Sequence, residues 1–304
     1  MRRGRLASYL ASVALLSACA NQNLSQLGAS VLSSTGYVDQ QQAQSILSAG
    51  NKIVKSQEAL TPEQEYYLGR GVSAQVLDRY PPKLDSVKTK YLNTVGQSVV
   101  LVSDLPETFG GYHFAVIDSS EINAVSAPGG FVYVSSGLIK LLPSEDALAA
   151  VLAHEVAHVV KRHGVNAISN SNLFSTLTDF SKQAATVAAS QVYTPVDLGP
   201  MTAIFTESVS GVTEKLLTKG YDRSQEYEAD LYAATLLQRA GYDPRSLLEV
   251  LKILHAQAET ASGGWFYTHP APSDRIEELE DDFRFPAESP RSSVRAARFK
   301  KIRG

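Results

Sequence analysis

The most constraining stretch of the chain is Ala153-His154-Glu155-Val156-Ala157-His158-Val159, an H-E-x-x-H sequence inside an apolar, helix-forming run. Residues four apart lie on one face of an α-helix, so His154 and His158 can point at one ion. Imidazole nitrogens suit zinc, and a catalytic zinc takes three protein ligands and keeps a fourth position for water. Glu155, beside the first histidine, is placed to take a proton from that water. The competing structural reading is a core helix that buries two histidines and a glutamate. Burying three such groups without partners is costly, and nothing nearby in the sequence supplies partners.

The 304-residue chain is 44% hydrophobic and 19% charged, which suits one large or two modest domains with a sizeable core. A net charge of -3 gives the whole molecule no nucleic-acid footprint, so nucleic acid is not an expected partner. Cys19 is the single cysteine, which excludes an internal disulfide and a cysteine-rich zinc site.

Cys19 also closes a targeting segment. Arg2, Arg3 and Arg5 form a basic start, and Leu6 to Leu16 is apolar but too short for a comfortable transmembrane helix. Leu16-Ser17-Ala18-Cys19 resembles the bacterial lipoprotein signal, cut just before a cysteine that becomes lipidated. On this reading residues 1–18 are a signal peptide and Cys19 carries lipid, palmitate included. Cleavage removes three arginines and no acidic residue, taking the net charge from -3 to -6. Ala20 rather than aspartate follows the cysteine, which by resemblance to enterobacterial sorting favours the outer membrane. An ordinary secretory signal with a buried cysteine nearby is the alternative. Residues 19–50, rich in Gln, Ser, Asn and Ala, read as a tether to the folded body.

The body, residues 51–285, reads as α+β and mainly helical, with a small sheet beside the H-E-x-x-H helix. Thr61-Pro62-Glu63-Gln64 opens a helix expected to reach about Asp78, and a second helix is expected over Pro82 to Val102. His113 to Ser119 alternates like a strand. Asn123 to Ala127 reads as an edge-like stretch, Pro128-Gly129-Gly130 as a turn and Phe131 to Val134 as a second strand. Ser144-Glu145-Asp146 starts the H-E-x-x-H helix with acids in its first turn. Lys161, Arg162 and His163 are expected in its last turn, with Gly164 as its stop. Residues 166–218 read as helices packed on the body or, more sharply, as an insertion that covers the site or a surface that touches membrane or partner. The basic tail 286–304 holds little core material and reads as disordered, with weak attraction to anionic headgroups.

A two-histidine site needs a third ligand, and Ser224-Gln225-Glu226-Tyr227-Glu228-Ala229-Asp230 opens a second helix that can supply it. Glu226 and Asp230 are four apart and share a face. Glu226 can bind metal while Asp230 holds a ligand histidine by its other ring nitrogen. Glu228 lies on another face, and all three can instead be solvated helix charges.

H-E-x-x-H followed by E-x-E-A-D resembles the HtpX, BepA and LoiP group of zinc metallopeptidases, gluzincins related to the CAAX prenyl endopeptidases. Further matches are Asn123-Ala124 with Pro128-Gly129-Gly130 and Val132-Tyr133-Val134, then Ser144-Glu145-Asp146, then Thr268-His269-Pro270 with Ser273-Asp274-Arg275-Ile276. They run from about Thr61 to Phe283 in the family's order. The resemblance implies that Glu226 is the third ligand of one zinc per chain and Asp230 its support. It also brings His269 to the zinc, as a switchable fourth ligand or a transition-state donor, against the reading of an ordinary loop histidine. Arg275 contacts the oxyanion or pairs with Glu277 or Asp274. The other histidines, His113, His163 and His255, read as structural.

The family implies a metalloendopeptidase of the bacterial envelope, facing the periplasm from the outer membrane. Asn123, Ala124 and Val125 would pair with extended substrate as an added strand, which favours unfolded or misassembled envelope proteins. The membrane, through the lipid on Cys19, and the outer-membrane assembly machinery are the expected partners. Two departures stand. BepA-like members carry tetratricopeptide repeats, whereas only about twenty residues follow Phe283 here, too few for one repeat. HtpX-like members have transmembrane helices, and none is visible. The resemblance is therefore nearest to LoiP-like lipoprotein peptidases. The competing class is a chaperone-like lipoprotein with a mainly structural zinc, against which the intact Glu155 argues.

Overall fold

A helix rich in apolar residues on every face must be enclosed, and the fold is built around enclosing one. The computed structural model describes residues 60–166, 199–257, 264–286 and 292–303. The signal segment 1–18, Cys19, the tether 19–50 and residues 167–198 of the 166–218 segment lie outside the described residues. In chain order the elements are α1 (Pro62–Arg79), α2 (Ser86–Val100), β1 (His113–Ile117), β2 (Ala124–Ala127), β3 (Phe131–Ser135) and α3 (Ser136–Leu141). Then come α4 (Glu145–Val160), α5 (His163–Asn166), α6 (Gly199–Glu214) with a π-helical turn (Lys215–Lys219), and α7 (Arg223–Ala240). The last are α8 (Arg245–Gln257), α9 (Trp265–Thr268), α10 (Pro272–Asp282) and α11 (Ser292–Arg303).

α4 carries the H-E-x-x-H residues. The Ser144 side chain accepts from the Ala147 N–H and caps it, and every residue from Glu145 to Val159 is buried. Ala147, Ala149, Ala150, Ala153 and Ala157 let α2, α7, α8 and the sheet approach its backbone closely. Gly241, at φ 78°, ends α7 in the left-handed conformation that glycine adopts freely.

The sheet has the order β1-β3-β2, with β1 parallel and β2 antiparallel to β3. Strand alternation divides its side chains between two cores. Phe114, Val116, Ala124, Val132 and Val134 face the core around α4. Ile117, Val125, Ala127 and Tyr133 face a second core with Leu68, Val72 and Val76 of α1 and Val209 and Val212 of α6. The edge-like stretch is thus β2, an edge strand of the sheet. Gly129 and Gly130, at φ 77° and 100°, make the turn into β3.

Three expectations change. α2 begins at Ser86, not Pro82, because Asp85 caps it by accepting from the Lys88 N–H, while Pro82 forms an isolated bridge with Ile117. Gly164 does not stop the zinc helix: α4 ends at Val160, and Arg162, at φ 56°, takes the left-handed position instead. The expected disordered tail is α11 over Ser292–Arg303. Phe299 is buried in the main core. Arg295 forms a bidentate pair with buried Asp146, and Arg298 another with buried Glu145, which Tyr91 and Tyr242 also contact. The arginines thus answer the two carboxylates that open α4. Of the 166–218 segment, the described part is α6, packed on α1, followed by the π-helical turn.

Candidate metal centre

α7 crosses α4 so that the second motif faces the first. His154 Nε2 and His158 Nε2 lie 3.1 Å apart. Glu226 reaches both, Oε2 at 3.5 Å from His154 Nε2 and Oε1 at 3.4 Å from His158 Nε2. His269 arrives from the turn after α9, its Nδ1 2.7 Å from Glu226 Oε2. Donor atoms of His154, His158, Glu226 and His269 all lie within 4.8 Å of one another.

The surroundings hold these groups in place. His154 turns its Nδ1 to Asp230 Oδ1 at 2.9 Å. Arg275, fully buried, donates from Nε and Nη2 to the two oxygens of Asp230, each at 2.7 Å. Its Nη1 lies 3.2 Å from Glu226 Oε2. Arg275 therefore braces Glu226 and Asp230 of α7 instead of pairing with Glu277 or Asp274. Asp274 lies beside Arg223.

Five residues with no site role in the sequence reading belong to the surroundings. The Trp265 ring stacks on His269 at 3.8 Å and 19°, and Tyr221 stacks on His158 at 4.1 Å and 15°. Ser126, from the α4-facing side of β2, lies beside Glu155 and helps hold its pKa down against burial. His163 lies against His158 Nδ1, and Glu228 against His163. Trp265 carries the one usable signal, being the single tryptophan of the chain and four residues ahead of His269.

The electrostatics follow from burial and contact. Burial and the Arg275 charge both push the His154 pKa down, but Asp230 and Glu226 outweigh them and raise it to about 9. Burial and the neighbouring His154 charge drop His158 to about 3 despite Glu226, since two imidazolium ions in contact repel. Burial raises Glu226, but the charges of His269 and Arg275 and the two histidine contacts leave it well below its ordinary value. Glu155 moves up, chiefly by burial.

The residues fit a zinc ion. Glu226 Oε1 and Glu155 Oε1 are buried without a hydrogen-bond partner, a cost that a cation beside them would remove. Two imidazoles and a carboxylate are also a donor set that catalytic zinc accepts. His154, His158 and Glu226 are the residues that would hold it, with Asp230 orienting His154.

A two-histidine, one-glutamate cluster with a second, unpaired glutamate beside it defines a metal-dependent peptidase type of site. The chain belongs to peptidase family M48, whose model matches residues 86–282. That family is zinc-dependent. The chain is 28% identical over 246 residues to the beta-barrel assembly-enhancing protease of Yersinia pestis, covering 80% of this chain and 49% of that protein. It is 29% identical over 217 residues to the protein of that name from Escherichia coli strain K12, covering 70% and 42%. With metalloprotease LoiP of Escherichia coli strain K12 it shares 26% over 172 residues, 56% of this chain and 62% of that protein. The chain thus spans about half the length of the first two relatives.

Proposed function

We propose that this protein is a zinc metalloendopeptidase of the bacterial envelope that cleaves unfolded or misassembled proteins. The observation that carries the proposal is the meeting of His154, His158, Glu226 and His269 donors within 4.8 Å, beside buried Glu155. The relatives' names support a protease and, for two of them, a link to beta-barrel assembly. On this reading residues 1–18 are the signal peptide. The lipid on Cys19 anchors the protein to the outer membrane, facing the periplasm. Among the described residues no helix is long and apolar enough to cross a membrane.

Bound zinc supplies Lewis acidity at the site, polarising a peptide carbonyl and making water more acidic. Glu155 is the general base: it takes a proton from the attacking water on a carboxylate oxygen and hands it to the departing amine. Its burial raises its pKa, which brings base and acid strength closer to what neutral pH requires. Asp230 fixes the ring of His154, and Arg275 fixes Asp230. Substrate approaches β2. Asn123 O accepts from Ser135 N–H, so antiparallel alternation turns the backbone groups of Ala124 and Ser126 to the free side, where an extended chain can pair with them. Trp265 N–H already bonds Ile122 O and limits that pairing at its start.

One observation favours a second reading. His269 completes four protein donors, the number found in structural zinc sites. A latent enzyme or a chaperone-like protein with structural zinc would both show it. Casein cleavage and zinc content of Glu155→Gln beside wild type separate them from an active peptidase. Full zinc with a rate loss of about a hundredfold or more supports Glu155 as base. Near wild-type turnover moves the base elsewhere. A wild-type protein with zinc and no cleavage favours the chaperone.

A further inference from the structure

We propose that His163 and Glu228 form a hydrogen-bonded relay that positions His158 for zinc, a role separate from the Asp230–Arg275 support of His154. The inference rests on the zinc reading above. His158 points Nε2 into the cluster and Nδ1 away from it, where His163 Nδ1 lies at 2.8 Å. The other nitrogen of His163, Nε2, lies 3.3 Å from Glu228 Oε2.

The backbone is arranged to make this contact. After α4 the chain reverses through Arg162, whose left-handed φ of 56° is unusual for a side chain of its size. Such a conformation is strained for a non-glycine residue and persists only when its surroundings fix it. Here Arg162 Nη2 donates to Leu60 O at 2.9 Å and pairs with Glu65 Oε2 at 2.9 Å. The reversal folds buried His163 back against His158, ring centroids 4.9 Å apart. Glu226 and Glu228 are two residues apart on α7 and point to different sides. One therefore reaches the inner nitrogen of His158 and the other the outer nitrogen of His163. Lys161 holds Glu228 from the solvent side at 3.0 Å.

The protons can be arranged in one way only. A His158 that offers the Nε2 lone pair to a metal carries its proton on Nδ1. That proton is donated to His163 Nδ1, which must then be bare. His163 consequently carries its proton on Nε2 and donates it to the Glu228 carboxylate. Each link selects the tautomer of the next, and the carboxylate increases the basicity of the ligand nitrogen through two rings. The middle glutamate of E-x-E-A-D thereby acquires a task that its position on α7 alone does not suggest.

The test measures the zinc dissociation constant of the full chain by chelator competition. The visible absorption of the cobalt(II)-substituted protein and the thermal stability of the metal-free protein are followed beside it. His163→Leu removes the acceptor and should weaken zinc about 10–100-fold and shift the cobalt spectrum. His163→Asn places an amide oxygen where Nδ1 lies and should restore most of the affinity. A residue that only fills space predicts the opposite order, leucine better than asparagine. Glu228→Ala, at a half-exposed position, should weaken zinc with unchanged stability of the metal-free protein, and it decides the matter should His163→Leu not fold. Affinity in His163→Leu equal to or above that of His163→Asn overturns the relay. So does a change of less than about twofold in Glu228→Ala. A wild type that binds no zinc overturns the proposed function instead.

Discussion

Replacing Arg295 by methionine removes the partner of Asp146 and leaves a carboxylate enclosed at the start of α4. Both side chains are buried, and two guanidinium nitrogens reach the two carboxylate oxygens. Breaking a buried pair by deleting one member typically costs about 3–5 kcal/mol. Asp146 keeps the favourable field of the α4 N-terminus, which offsets up to about 1 kcal/mol. The net loss is then about 2–4 kcal/mol, and at 2–4 °C per kcal/mol for a domain of this size Tm should fall by about 4–16 °C. The pH dependence has a definite sign. Burial already holds the Asp146 pKa above its ordinary value, and without Arg295 it rises further. An acid with a raised folded pKa binds its proton more tightly folded than unfolded, so acid favours the folded variant. The deficit should be largest above that folded pKa and shrink as pH falls toward it. Differential scanning calorimetry across pH, with Asp146→Asn and the double variant, is the assay. A deficit below about 2 °C at neutral pH, or one that Asp146→Asn does not relieve, refutes the reasoning.

Metal analysis of the purified protein should give about one zinc per chain, and His158→Ala should lose it; unchanged zinc in that variant means the ligands are elsewhere. On the latent reading, in which the stacked, Glu226-bonded ring of His269 takes the fourth donor position, His269→Ala should raise basal cleavage of unfolded substrates. Reduced initial rates with full zinc would assign His269 to the transition state instead. Mass spectrometry of the native N-terminus should find lipid on Cys19, and an unmodified Cys19 or a retained Met1 would remove the anchor.

The parts of the fold with local signatures were legible. Thr61 and Ser144 cap α1 and α4, Gly241 ends α7, and strand alternation divides Val132 and Val134 from Tyr133. Four-residue spacing put His154 and His158 on one face and Glu226 and Asp230 on another, and the structure brings the two faces together. What escaped were polar pairs between distant segments. Arg275 meets Asp230 across 45 residues and Arg295 meets Asp146 across 149, and no periodicity encodes such a meeting. α11 looked solvated because its arginines were counted as charges without partners. Glu228 looked idle because its face of α7 was judged alone, whereas His163 reaches that face only through the reversal at Arg162. That reversal carried no signal, since an arginine occupies the conformation for which glycine is the usual marker.

The enclosure of α4 bears on self-digestion. If the proposed function holds, a protease that accepts unfolded chains is exposed to other copies of itself, and cleavage requires a segment that can be drawn out as an extended strand. Amide hydrogens in a helix with no exposed turn between Glu145 and Val159 should exchange with solvent only when the whole domain opens. Nicks should therefore accumulate at the rim, around exposed Leu84, Leu101 and Phe109, long before any reaches the histidines. A molecule cut there still holds its ligand set together, and autolysis would trim the enzyme well before it silenced it.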